Sequence, residues 1–441
     1  MSGSNERTKF TTVVIIMAAL IAWMHDGYSL VLISILANDL KEYFGVGDAA
    51  IGLVISLQFV CTVPGAILFG EIGDRFGRKK ALILSTAWDA SFSALTAFVP
   101  PDGFILFMVL RLISGLGVSW GISFSLISEN FTPKKRGAAG GLVSASFVIG
   151  YISAIIVVII ISPLGWQYCF LTALFPLPFL ILFWFALPES EIWTEFDEIA
   201  KSQEIKQKIR VKELFSGKWL KITVLLTILY WLTELAYHMA VDFAPVFLEY
   251  IFAYQGAANP GNSALLFMLV LMVVGGSVLF IFGALSDFIG RKKAFYIDSV
   301  IGLLGSIFFG IFLYLIFNHV MILIACVLLA ASFGMIGIFG VWSSELYDTE
   351  LRASANGIIF SIARGLSFGG FFVGLISDSL NPYNTTAERL AHPLISARAL
   401  GVGMMISLFA FIAIFIILSS VPEPVDKEIT AMAKHQKILK S

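Results

Sequence analysis

The chain has 441 residues, of which 58% are hydrophobic and 13% charged, with 29 Lys and Arg, 30 Asp and Glu and a net charge of −1. A soluble globular chain is nearer half apolar and about a quarter charged, and a nucleic-acid binder carries basic excess on a wet surface; the composition excludes an ordinary soluble enzyme, a disordered chain and a nucleic-acid partner. What it fits is an all-α protein that crosses a lipid bilayer several times.

Arg7 and Lys9 precede an apolar stretch from Phe10 to Ala37, far longer than the core of a signal peptide. It reads as a first span that stays in place. A helix crosses the hydrocarbon in about 20 residues, and twelve stretches meet that need. Six lie near 11–37, 49–69, 81–99, 104–128, 138–161 and 168–187. Six more lie near 219–250, 263–285, 294–317, 320–344, 355–378 and 397–420. The expected organisation is a six-helix bundle over 1–190, a charged linker over 191–218, and a second bundle with a tail over 219–441. Cys61, Cys169 and Cys326 each sit in an apolar run and read as small buried hydrophobes.

Of the 29 Lys and Arg, 24 fall in segments on one side of the twelve spans. Lys41, Arg389 and Arg398 fall on the other side, and Arg111 and Arg364 fall within spans. That bias puts both termini in the cytoplasm of a multi-pass cell-membrane protein.

The two halves resemble each other. Phe69-Gly-Glu-Ile-Gly-Asp-Arg-Phe-Gly-Arg-Lys-Lys-Ala81 recurs as Phe282-Gly-Ala-Leu-Ser-Asp-Phe-Ile-Gly-Arg-Lys-Lys-Ala294, an offset of 213. Glu129, Arg136 and Gly141 recur as Glu345, Arg352 and Gly357, and Trp23 with Asp26 has an echo in Trp231 with Glu234. Parallel six-span repeats pack about an axis along the membrane normal, with a binding site between them near the midplane.

The loop Gly70-x-x-x-Asp74-Arg75-x-Gly77-Arg78-Lys79, the Arg111-x-x-x-Gly115-x-Gly117 segment and Glu129-x-x-x-Pro133-x-x-Arg136-Gly137 resemble signatures of the major facilitator superfamily. Pro188-Glu189-Ser190 is similar to its sugar-porter and organic-acid branches. Asp26-Gly27-Tyr28-Ser29 is similar to the Asp-Gly-x-Asp of sialate, lactate and aromatic-acid proton symporters, with Ser29 where the second acid stands. In the second loop copy Phe288 replaces the arginine that the first has at 75. The resemblance implies twelve spans in two pseudo-symmetric bundles and alternating access. It implies a cytoplasmic gate made by Asp74, Arg75 and Arg78, by Asp287 and Arg291, and by the pairs Glu129–Arg136 and Glu345–Arg352. It also implies that spans one and four line the cavity, while spans three and nine pack away from it.

Ionisable groups within spans are costly and are functional candidates by default: Asp26, Asp89, Arg111, Glu234, Asp242, Asp298 and Arg364. At about 1.5 Å per residue, Asp26 and Arg111 both lie roughly 20 Å from the cytoplasmic face and are expected to pair. Arg364 is expected at the midplane, with Glu234 as its partner or as a second proton site. Asp89 and Asp298 are expected in structural hydrogen bonds, and Asp242 at the wet rim. His25 and His238 adjoin these acids and can titrate near neutrality. The expected substrate contacts are Arg111, Arg364, Tyr28, Gln58, Tyr237 and Asn356, and the expected proton carriers Asp26 and Glu234. There is no P-loop and no metal-ligand spacing, so no cofactor, metal or enzymatic reaction is expected.

The resulting expectation is a proton-coupled symporter of a small organic anion, such as a monocarboxylate, aromatic acid or sugar acid, working as a monomer in the bilayer. A neutral-sugar or polyol symporter and a non-transporting sensor are the alternatives. In the first alternative Arg111 would be only the structural partner of Asp26.

Overall fold

The architecture, seen in a computed structural model, is described over residues 2–130, 133–190, 193–194, 211–347 and 349–423. At 2–10, 74, 128–130, 133–141, 211–212, 341, 344 and 349–354 only the backbone is described. Most of the expected linker lies outside these residues. The described residues form helices and connecting turns, without strands.

Twelve segments are long and apolar enough to cross a membrane. In the first half they are α1 (Thr11–Ile35), α2 (Asp48–Gly73), α3 (Arg78–Phe98), α4 (Phe104–Ile127), α5 (Leu142–Leu164) and α6 (Trp166–Ala186). In the second they are α7 (Gly217–Tyr254), α8 (Pro260–Ile289), α9 (Arg291–Leu315), α10 (His319–Gly340), α11 (Ala355–Leu380) and α12 (Pro393–Leu418). The expected spans and these segments differ by a few residues at their ends. At α8 the difference has a local cause: the Asn259 side chain accepts from Asn262 N at 3.0 Å, and Pro260 follows in the first helical turn, so the helix starts before its apolar run.

An even number of spans brings both ends of the bundle's chain to one face, here called the terminal face. The repeated glycine loops lie there. Gly77 (φ 104°) and Gly290 (φ 93°) take the positive φ that these reversals require. A carboxylate then sits on each helix start: Glu189 accepts from Lys79 N at 3.1 Å, and Glu423 from Lys292 N at 3.1 Å. The helix dipole favours an anion at that end. The internal repeat therefore extends to Pro188-Glu189 and Pro422-Glu423.

Several spans are broken in mid-course. The helix of α4 stops at Gly115 and resumes at Trp120, and that of α10 stops at Ala331 and resumes at Gly334. A break inside hydrocarbon frees backbone amides, which is tolerated only where protein satisfies them. Ser119 N donates to Asp26 at 2.9 Å, and Met335 N donates to Asp298 at 2.7 Å. Asp298 thus has the structural role expected of it, whereas the contact of Asp26 was not expected. At the face opposite the termini, α2 lies so close to α11 that a Cβ on Gly52 would stand 2.3 Å from the Gly370 carbonyl oxygen.

Candidate functional site

Two buried polar clusters lie within the spans, one in each half. In the first, the His25 Nε2–H donates to the Ala173 carbonyl at 3.0 Å, and Nδ1 lies 3.2 Å from Asp89 Oδ2. Asp89 Oδ1 accepts from Ser29 (3.0 Å), Ser93 (3.1 Å) and Ser114 (2.8 Å). Arg111 donates to Ser93 Oγ (2.8 Å), the Ser29 carbonyl (2.7 Å) and Gln58 Oε1 (3.1 Å), with its guanidinium carbon 5.3 Å from the Phe170 ring centre. The close approach of α4 to α3 needs Gly117, whose added Cβ would meet Asp89 N at 2.7 Å.

The expected Asp26–Arg111 pair does not form. Both groups are buried, but Asp26 Oδ2 accepts from Ser119 N and Oγ, both at 2.9 Å. Ser119 is eight residues along α4 from Arg111, beyond the break that follows Gly115. The residue of α1 level with Arg111 is Ser29, nearly one turn beyond Asp26. Counting residues from span ends fixed the depths too coarsely, and α3, rather than α1, brings the carboxylate nearest the arginine. Asp89 makes the interhelical hydrogen bonds expected of it, but in the same cluster as Arg111. It stands beside Ser29, where the resembling motif has its second acid.

In the second half, His238 Nδ1 lies 2.9 Å from Asp242 and Nε2 lies 3.5 Å from Glu234, both on its own helix. Asp242 is buried, not at a wet rim. Arg364 is also buried, and it forms no ion pair with Glu234 or with any other carboxylate among the described residues. Instead its guanidinium carbon lies 6.0 Å from the Trp23 ring centre, 4.7 Å from Phe59, 5.3 Å from Phe147 and 5.6 Å from Phe360. Three of these rings belong to the first half. Ring faces attract a cation without neutralising it. Trp120 stacks on Phe360 at 4.2 Å and continues the aromatic wall.

The other expected contacts are dispersed. Tyr28 bonds to Thr172 and to the Cys169 carbonyl of α6. Gln58 is held by Arg111. Tyr237 packs edge-on to Phe333 and His238. Asn356 bonds to Ser343 and to the Gly340 carbonyl of α10.

The expected gate is described only in part. The side chains of Asp74, Glu129, Arg136 and Arg352 lie outside the described residues. Arg75 pairs with Glu71 of its own helix, and Arg78 approaches Gly73. Arg291 bonds to Asp287, to Ser286, and in a two-pronged contact to Glu345 at 2.6 and 3.0 Å, all within the second half. Phe288, which replaces the first copy's arginine, is 87% exposed.

Bonds between the halves appear at the opposite face. Arg389 bonds across to Asp48, to which Lys41 Nζ of the same half as Asp48 also donates at 2.6 Å, and Arg389 bonds at 2.8 Å to Asp378 of its own half. Asp378 also accepts from Asp48 N (3.0 Å) and Ala49 N (2.7 Å), capping α2 from the other half. Ser377 donates to Asp48 at 2.7 Å and Asn38 to Glu249 at 2.6 Å. Burial alone would lower Lys41, but Asp48 more than offsets it and holds the ammonium above its ordinary value. Lys41 and Arg389, two of the three basic residues expected on this side of the spans, are buried in this seal.

Sequence reasoning singled out Asp89 and its hydrogen-bonded role but missed its place beside Arg111, the seal and the aromatic cage. For the seal one signal was available. Basic residues are scarce on that face, and so each is conspicuous. Trp23, Phe59, Phe147 and Phe360 had no signal, because 40 phenylalanines in an apolar chain look alike.

A sequence profile of the Major Facilitator Superfamily matches residues 13–371. The chain is 25% identical over 365 residues to a putative niacin/nicotinamide transporter of Bacillus subtilis, covering 81% of this chain and 86% of that one. It is 24% identical over 411 residues to a sialic acid transporter of Escherichia coli, covering 91% and 92%. Among solved structures, a D-xylose-proton symporter superposes with a TM-score of 0.70 at 19% identity, over 94% of this chain and 99% of that chain. With twelve spans in two related halves and this profile match over most of its length, the chain is a transporter belonging to the Major Facilitator Superfamily.

Proposed function

We propose that this transporter carries a small organic anion across the cell membrane by alternating access, with a proton as the coupling ion. The observation that carries the reading is Arg364: a buried guanidinium among rings of both halves that forms no ion pair with a carboxylate among the described residues. A planar fork of that kind is suited to a carboxylate, and a site between halves is the place that alternating access exposes to each side in turn. The aromatic wall favours an acid with a flat or apolar body. Relatives named for niacin, for 4-methylmuconolactone and for sialic acid support the class. The buried acids of the first half, Asp26 among them, are the proton's side of the scheme, with Glu234 beside His238 as the second-half candidate. Arg111, bonded to α1, α2 and α3 through both terminal nitrogens, holds the cluster rather than the ligand.

The basic bias assigns the terminal face to the cytoplasm. The seal then lies outside, and this conformation is the one closed to the exterior. A single chain contains every group the scheme uses.

The test is counterflow and uptake in proteoliposomes against nicotinate, sialate, benzoate, lactate and xylose, with and without an imposed pH gradient. The reading expects one or more acids to accumulate with the gradient and Arg364→Ala to abolish it. Transport of xylose alone, unaffected by Arg364→Ala, overturns the reading.

A further inference from the structure

Resting on the reading of proton coupling, we propose that the coupling proton is carried by His25 Nδ1 against Asp89 Oδ2, with Asp26 as the adjacent acceptor, and not by Asp26 alone. The three side chains bring one atom each within 4.8 Å of one another and are buried.

The tautomer follows from the partners. A carbonyl oxygen only accepts, so the nitrogen 3.0 Å from Ala173 O carries hydrogen, and that nitrogen is Nε2. In a neutral ring Nδ1 then presents a lone pair. It faces Asp89 Oδ2 at 3.2 Å, two acceptors in contact. Only a proton between them makes that contact attractive. The opposite oxygen, Oδ1, already accepts from three hydroxyls, so Oδ2 remains for the ring. His25 Nδ1 and Asp26 Oδ1 have no conventional hydrogen-bond partner.

Charge counting gives the capacity. The groups facing the ring are Asp26 on α1, Asp89 on α3 and Arg111 on α4. From α6 come the Ala173 carbonyl and the Phe175 ring at 5.6 Å. Tyr28, one turn along α1, is occupied by α6, and Tyr151 of α5 lies in reach of Tyr237 and Asp242 instead. With a neutral ring, two carboxylates and one guanidinium leave one negative charge in excess. One proton cancels it. The imidazole nitrogen is a poor ligand for a hard cation such as sodium, which prefers oxygen, and so the site favours H⁺. The proton adds to the Nδ1 lone pair from water on one side and leaves to water on the other, with no bond broken elsewhere.

The probe is the proton itself. The chain has five histidines, so full-length protein labelled with ¹⁵N-histidine in lipid nanodiscs gives few resonances, and His25→Gln identifies one. That resonance is expected to pass from imidazolium to neutral imidazole within the pH range where transport responds to a gradient, and Asp89→Asn is expected to displace the passage. In proteoliposomes His25→Gln is expected to lose gradient-driven accumulation while counterflow persists. A His25 resonance fixed in one state, or gradient-driven accumulation surviving in His25→Gln, overturns the proposal. If the Asp89 variant does not fold, the His25 spectrum and transport data decide alone. Wild-type uptake that ignores pH overturns the coupling reading itself, whatever the His25 spectrum shows.

Discussion

Each half of the molecule surrounds one buried histidine with two carboxylates and has one buried arginine within its described spans: His25, Asp26, Asp89 and Arg111 in the first, His238, Glu234, Asp242 and Arg364 in the second. The inventory is the same and the wiring is not. Arg111 is bonded into its cluster through Ser93, Ser29 and Gln58. Arg364 forms no ion pair with its cluster and lies among rings. His25 reaches a carboxylate on another helix, while His238 is flanked by acids one turn away on its own. A buried charge satisfied by its own chain is scaffold. One left unsatisfied is available to a ligand. The halves of a duplicated fold can thus divide two tasks, with the first holding a proton and the second an anion, by relocating one arginine relative to its acids.

The sharpest way to break this contrast is to truncate both arginines. Removing one partner from a buried charged network costs about 3–5 kcal/mol. Arg111→Ala is expected to lower the unfolding midpoint strongly and to reduce the yield of monodisperse protein. Arg364→Ala is expected to stay close to wild type in the same thermal scan. The reverse result would remove the distinction between scaffold and site. Next in size, Arg364→Ala is expected to weaken acid binding by about 10–100-fold, the worth of a charge-assisted hydrogen bond, read by calorimetry on the purified protein. Smaller again is Phe147→Leu, which removes one ring from the cage. Cation–π attraction of about 0.5–2 kcal/mol predicts a loss of roughly 2–30-fold in apparent affinity, with Phe247→Leu, far from the cage, as control.

Two expected outcomes are near zero, and they sharpen the comparison by their absence of effect. A monocarboxylate and one proton together carry no net charge. Uptake is therefore expected to be indifferent to a valinomycin-imposed membrane potential, and a strong dependence would require a second cation. The seal is expected to ignore pH as well. Lys41 has its value raised in the closed fold, so its stabilising contribution is complete below the ordinary lysine value of about 10 and is lost only as pH rises through the folded value. The distance between spin labels at the exposed positions Glu42 and Asn384 should stay constant from neutral pH up to that point, and Lys41→Met should lengthen it throughout that range.

The number and order of spans, their repeat and the family were legible because each is carried by composition or by contiguous residues. An apolar run of sufficient length has few alternatives to a membrane helix, and the two Gly-Arg-Lys-Lys loops advertise the duplication directly. The intramembrane charges were legible too, since their rarity singles them out. Their pairing was not. Helical rise gives a residue's depth to within a turn or two, whereas an ion pair is decided by azimuth, tilt and breaks such as the one between Gly115 and Trp120. That break turned Asp26 toward Ser119 and left Asp89 near Arg111. Whether Lys41 sits in water or in a seal, and whether a phenylalanine meets lipid or a guanidinium, depends on which helices become neighbours. One-dimensional order fixed what had to be buried, and the packing of spans from both halves chose the partners.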